Sequence, residues 1–159
     1  MKQVKIYVDG ASGNKTGKPG GWAAIILGEQ IVEISGADPS TTNNRMELSA
    51  AIFGLKHLQE PCEVELYSDS AYVVNCFKFK WYVKWQMNGW LNNEGNPVDN
   101  KDLWRELIDL TKIHKVEFKK VKGHSDNELN NRCDKLAKEA ILKQKESNAN
   151  NSNGQGSSV

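Results

Sequence analysis

The chain reads as an α/β protein with a mixed sheet, and three features of its 159 residues predict that class. Val4-Lys5-Ile6-Tyr7-Val8-Asp9 and Glu63-Val64-Glu65-Leu66-Tyr67-Ser68-Asp69 both alternate apolar and polar side chains, the period of a strand with one buried face, and both deliver an Asp just before a break. Trp22–Leu27 and Gln30–Ser35, joined at Gly28-Glu29, read as an antiparallel hairpin that extends the first strand into a three-stranded meander. Between the two Asp-ended strands lies a helical stretch, and a strand–helix–strand order normally makes a right-handed parallel crossover.

In chain order, the run after the first strand, Gly10 to Gly21, is glycine-rich. It lacks the Gly-Lys-Ser/Thr ending of a P-loop and leads into a strand, so its signal for nucleotide binding is weak. Pro39 to Asn44 is a polar turn cluster, and Arg45 to Gln59 then reads as a helix with Met46, Ala50, Phe53 and Leu58 on its apolar face. Asn44-x-x-Glu47 has the form of a capping box. Ser70 to Phe79 resumes helical spacing. Residues 78–100 form a Trp-rich insertion in which Trp81 and Trp85 share a helix face and Lys80 and Lys84 share the adjacent one. A helix from Asn100 to His114 and a last strand from Lys115 to Val121 follow. Ser125-x-x-Glu128 has the spacing of a second capping box, opening a final helix with Leu129, Cys133, Leu136 and Ala140 as its stripe. From Ser147 to Val159 the residues are mostly Asn, Ser and Gly, and none has an ionisable side chain. The expected organisation is one domain, 1–146, and a disordered tail, 147–159.

Twenty-one basic and twenty acidic side chains nearly cancel, so any nucleic-acid binding must rest on local clustering rather than net charge. Cys62, Cys76 and Cys133 are odd in number and widely spaced, as expected of reduced thiols in a cytosolic chain rather than a disulfide framework or a zinc set. No secretory signal and no membrane-spanning run is present, so the expected location is cytoplasmic.

The chemistry begins with the two terminal Asp residues. If their strands pair in parallel, Asp9 and Asp69 stand one interstrand spacing apart, ~4.8 Å. Two carboxylates that close repel by about 3 kcal/mol at an effective dielectric near 20, so they need a cation or a proton. Open α/β sheets place ligands at this edge. Each acid also has a plainer reading. Asp9 suits a turn acceptor, Glu47 a cap, and Asp134 an ion pair with Arg132 or, at i,i+4, Lys138. His124 suits a solvated loop, and the tryptophans suit packing of a small subdomain.

Taken together, Val8-Asp9-Gly10, Thr41-Thr42-Asn43-Asn44-Arg45-Met46-Glu47-Leu48, Ser68-Asp69-Ser70, Asp102-Leu103-Trp104, Val121-Lys122-Gly123-His124, Asn130 and Arg132-Cys133-Asp134 resemble type 1 ribonuclease H in its bacterial form. The resemblance runs from residue 3 to about 142. It implies a ribonuclease H-like fold with a five-stranded mixed sheet, three antiparallel strands and two parallel additions, flanked by helices. It also implies endonucleolytic hydrolysis of the RNA strand of RNA–DNA hybrids, leaving 5′-phosphate and 3′-hydroxyl ends. Two Mg²⁺ ions (with Mn²⁺ as a substitute) would be held by Asp9, Glu47, Asp69 and Asp134, hard cations on carboxylate oxygens, in a cluster free of neutralising lysine. His124 would assist proton transfer or product release. Asn14, Asn43, Asn44 and Asn130 would contact substrate, Thr42 would belong to a DNA-phosphate pocket, and Lys80, Trp81, Lys84 and Trp85 would grip the hybrid. A free-standing monomer is the expected form.

Departures from the family pattern are Ala71 where a substrate-contacting Gln is common, a longer glycine-rich loop around Asn14, Glu94 and Asp99 in the insertion, and Asn131 beside Asp134. Competing readings are a non-catalytic hybrid-binding module, another nuclease of the same fold such as an integrase or junction resolvase, and a detached retroviral ribonuclease H domain.

Overall fold

The computed structural model describes residues 1–12, 17–122 and 127–157, with side chains through Asn148. Its elements are β1 (Lys2–Ser12), β2 (Lys18–Leu27), β3 (Ile31–Thr41), α1 (Asn43–Lys56), β4 (Cys62–Ser68), α2 (Ala71–Lys78), α3 (Trp81–Asn88), α4 (Lys101–Ile113), β5 (Lys115–Lys120) and α5 (Glu128–Ser157). The strands form a single sheet in the order β3-β2-β1-β4-β5. The first three make the antiparallel meander, β4 adds parallel to β1, and β5 adds parallel to β4. This is the mixed five-stranded sheet expected from the sequence.

The alternation in β1 decides which helix covers which face. Val4, Ile6 and Val8 are buried with Ala24, Ile26, Val64 and Leu66 against Leu48, Ala51, Ile52 and Leu55 of α1. Fully burying each large aliphatic side chain contributes about 1.5–3 kcal/mol. Trp104 and Leu107 of α4 and Val73 and Cys76 of α2 complete this core. On the opposite face α5 crosses β1, β2 and β3. There Cys133 and Ala137 are fully buried, and the Cys133 thiol donates to the Tyr7 carbonyl at 3.2 Å. A Cβ on Gly21 would lie 2.1 Å from the Ala137 carbonyl oxygen, so α5 docks backbone to backbone at this point.

Several boundaries differ from expectation. β3 continues through Pro39 and Ser40, where the sequence suggested a turn, because β3 is an edge strand and the missing donor of proline is tolerated there. The Asn44–Glu47 capping box is not the helix start: Thr42 is the N-cap of α1, its hydroxyl accepting from Arg45 N at 3.2 Å. This leaves Glu47 free of a capping role. At α5 the side chain of Asn127 accepts from Asn130 N at 2.9 Å, while Ser125, the expected cap, lies outside the described residues. The α5 backbone runs as far as Ser157. Extending an established helix avoids the nucleation cost, so weak helix formers can continue it. Its packing side chains end earlier, at Ile141 and Gln144, the latter donating to the Ala37 carbonyl at 3.2 Å. No helix of the described residues is long and apolar enough to cross a membrane.

The close crossing at Gly21 is open to test. Gly21→Ala is expected to lose roughly 1–3 kcal/mol of unfolding free energy in urea titration, as overpacking forces α5 outward. Gly28→Ala, where an added Cβ meets nothing within 4 Å, is expected to unfold with the wild-type midpoint.

Candidate active site

The site arises where the sheet splits. β1 pairs with β4 only as far as Tyr7 opposite Tyr67, because β4 ends at Ser68, whereas on its other flank β1 stays paired with β2 to Ser12 opposite Gly20. Asp9 is therefore not at a strand end, as the sequence suggested, but at the point where one neighbour has stopped. Asp69 follows β4 directly, and Ser70 after it caps α2 by accepting from Val73 N. Glu47 enters from α1. A Cβ on Gly10 would fall 2.5 Å from Glu47 N, so the absent side chain is what lets the start of α1 lie on β1.

Carboxylate oxygens of Asp9, Glu47 and Asp69 lie within 4.8 Å of one another. Asp134, from α5, lines the same cleft of about 390 Å³, along with Asn43, Ser70, Asn130, Asn131 and Lys138. Asp9 Oδ1 accepts from Gly10 N at 2.9 Å. Burial, then the nearby charges of Asp69 and Asp134, pushes the Asp9 carboxyl up to about 7. Burial, then Asp9 and Asp69, holds Glu47 well above the usual carboxylate range. Both carboxyls are thus raised together, each by burial first and by the charge of its neighbours second. Glu47 Oε2 is buried with no hydrogen-bond partner among the described residues. Converging carboxylates and an orphaned buried oxygen both fit a hard divalent cation.

The expectation of a cluster free of lysine is corrected: Lys138 Nζ lies 2.8 Å from Asp134 Oδ2. The i,i+4 spacing puts both on one helix face, and the pair is substantially exposed, so its strength is modest. Spacing alone signalled this pair, but not that Lys138 also borders the cleft.

The remaining sequence-predicted residues divide into three groups. Asn43 and Asn130 line the cleft; Asn130 is buried, with its Oδ1 lacking a partner among the described residues, while Asn44 is exposed in the first turn of α1 and Thr42 is engaged as its cap. Asn14 and His124 lie outside the described residues. In the insertion, Trp85 leans on Trp90 and Trp104 with ring centroids 5.8 and 5.6 Å away, which makes it an anchor of α3 to the core, whereas Trp81 is exposed. Lys84 donates to Asn93 Oδ1 at 2.6 Å, and Lys80 is exposed in a left-handed conformation ahead of α3. Sequence reasoning gave no individual role to Arg45, although its motif was quoted. Its guanidinium makes a forked contact with Asp102 at 3.0 and 2.8 Å.

A mixed sheet split beside its central strand, with carboxylates from a strand, a helix and a strand end meeting in the split, defines an RNase H-like chain. Residues 1–142 match the RNase H family model. A protein of Moorella thermoacetica named Ribonuclease H is 57% identical over 142 residues, covering 89% of this chain and 93% of that one. A Ribonuclease H of Acetivibrio thermocellus is 57% identical over 144 residues, covering 90% and 97%. Among solved structures, LC9-RNase H1, described as a type 1 RNase H with the type 2 active-site motif, superposes with a TM-score of 0.80 at 28% identity, covering 90% of this chain and 74% of that one. LC11-RNase H1, solved in complex with an RNA/DNA hybrid, gives 0.68 at 25% identity, covering 89% and 98%. The chain belongs to the RNase H family and is a nuclease.

The raised Asp9 carboxyl gives a signed prediction for the metal-free protein. Between about pH 4 and 7 the unfolded chain ionises this group while the folded one keeps its proton, so folding stability falls as pH rises through that window. In chelator at pH 8, Asp9→Asn is expected to be more stable than wild type by on the order of 1–4 kcal/mol, with no gain at pH 4. Urea unfolding at both pH values checks this, and a large loss at pH 8 would assign Asp9 a structural role instead.

Proposed function

We propose that this protein is an endoribonuclease that hydrolyses the RNA strand of RNA–DNA hybrids, leaving 5′-phosphate and 3′-hydroxyl ends. The observation that carries the proposal is the convergence of Asp9, Glu47 and Asp69, with carboxylate oxygens within 4.8 Å, in a cleft that Asp134 also lines. LC11-RNase H1, of the same fold, was solved with an RNA/DNA hybrid, which supports the substrate class.

Asp9, Glu47, Asp69 and Asp134 would hold two Mg²⁺ ions, for which Mn²⁺ can stand in, and such ions supply Lewis-acid charge and a water of lowered pKa beside the scissile phosphate. The chain's own work is to present charge to those ions. With the Asp9 carboxyl raised to about 7, cation affinity is expected to rise with pH through that value. Asn43, Asn44 and Asn130 offer neutral amides able to bond a ribose hydroxyl or a base edge without repelling phosphate, and the 2′-hydroxyl is what distinguishes RNA from DNA. Asn14 would join them, Thr42 would contact a DNA phosphate, and His124 would move a proton or assist product release. Lys80, Lys84 and exposed Trp81 present cations and a ring along one side of α3, suited to a nucleic-acid backbone and bases. We assign Trp85 to holding α3 in place. A cytoplasmic monomer is the accompanying proposal.

A labelled hybrid incubated with Mg²⁺ is expected to be cut in its RNA strand, and chelator or Glu47→Gln is expected to lower the rate by at least about a hundredfold. Binding without cleavage would favour the non-catalytic module, and cutting of duplex DNA in place of hybrid would favour another nuclease of this fold. In the insertion, Trp81→Ala is expected to weaken hybrid binding with an unchanged melting temperature. Trp85→Ala is expected to lower the melting temperature, as measured by circular dichroism.

A further inference from the structure

Asp9 is fixed by the sheet, and Asp69 by the end of β4. Glu47 rides on a helix, so its carboxylate goes wherever α1 is rotated or shifted. A hydrogen-bonded network at the start of α1 opposes such movement. Arg45, two residues before Glu47 and so about 200° around the helix from it, faces α4. Its guanidinium takes both oxygens of Asp102 and also donates to Asn100 Oδ1 at 3.3 Å. Asn100 holds a left-handed backbone, φ 61°, and makes no side-chain cap to α4. Its side-chain amide is instead turned to the network, with Nδ2 donating to the Tyr72 hydroxyl at 3.1 Å. That hydroxyl also accepts from Trp104 Nε1 at 2.8 Å and donates to the Asp99 carbonyl at 3.5 Å. One donor and two acceptor positions exhaust a phenolic hydroxyl, so its bonding is complete. Tyr72 stands in the first turn of α2, three residues after Asp69.

The network thus joins the start of α1, which carries Glu47, to the start of α2, which follows Asp69, through Asn100, with the buried Trp104 of α4 bracing the Tyr72 hydroxyl. A forked guanidinium–carboxylate contact fixes orientation as well as distance, which a single point charge does not. We propose that Tyr72 and Arg45 are positioning residues for the hydrolysis, setting the gap between Glu47 and Asp69 without touching substrate or the reacting atoms. The inference rests on the ribonuclease reading above, and adds to it that cation affinity is set partly by residues outside the cleft.

The test uses the full chain with Tyr72→Phe, Arg45→Lys and the double variant. Mn²⁺ binding is measured by calorimetry in the absence of nucleic acid, and kcat and KM are measured on a hybrid with Mg²⁺. Each single variant is expected to weaken Mn²⁺ binding and lower kcat by about tenfold, the scale of a small misplacement, with KM unchanged. The double variant is expected to fall short of the product of the singles, because both break one network. Raised Mg²⁺ should restore part of the lost rate. Lower melting temperatures with Mn²⁺ affinity and kcat as in wild type would overturn the proposal and leave a purely structural network. A raised KM at constant kcat would also overturn it, in favour of direct substrate contact. Because Mn²⁺ binding is read without substrate, failure of wild type to cut hybrid would reject the ribonuclease reading and leave the positioning result separately legible.

Discussion

The parallel pairing of β1 with β4 is the constraint on which the molecule depends. It places Tyr7 beside Tyr67 and so brings Asp9, within β1, and Asp69, just past β4, to one edge. β4 then stops while β1 continues along β2, and the cleft exists because one strand outruns its neighbour. Everything else is arranged around that step. α1 covers the apolar side of β1 and brings in Glu47; α5 covers the other side and brings in Asp134. The cost is borne electrostatically, since two of the four acids, Asp9 and Glu47, are buried well beyond what an unpaired carboxylate tolerates. Such a conflict between local stability and global packing is expected at a functional site rather than in a structural core.

Much of the fold was legible because its signals are periodic. The alternation of Val4, Ile6 and Val8, the short link at Gly28-Glu29 and the crossover through α1 are local patterns, and each corresponds to what the structure holds. Boundaries were less legible where a tertiary role competes with propensity. Pro39 looks like a turn residue until β3 is known to be an edge. Glu47 fits the spacing of a cap until Thr42 is seen to do that work, because a cap is decided by one hydrogen bond and not by residue type.

The candidate site divides in the same manner. The Asp residues announced themselves by ending strand patterns that have no use for a carboxylate. Trp85 and Trp81 share a helix face, and only the packing of Trp85 on Trp104 separates an anchor from an exposed ring. Arg45, Asn100 and Tyr72 were opaque for a different reason: residues 45 and 72 lie in two helices and residue 100 just ahead of a third, and no spacing along the chain reports that their side chains meet.

The pairing of Lys138 with Asp134 and the burial that raises the Asp9 and Glu47 carboxyls act in the same direction. Each lessens the negative charge of the cleft, one by an ammonium and the other by favouring the protonated acid. A dication entering the cleft would have to compete with both.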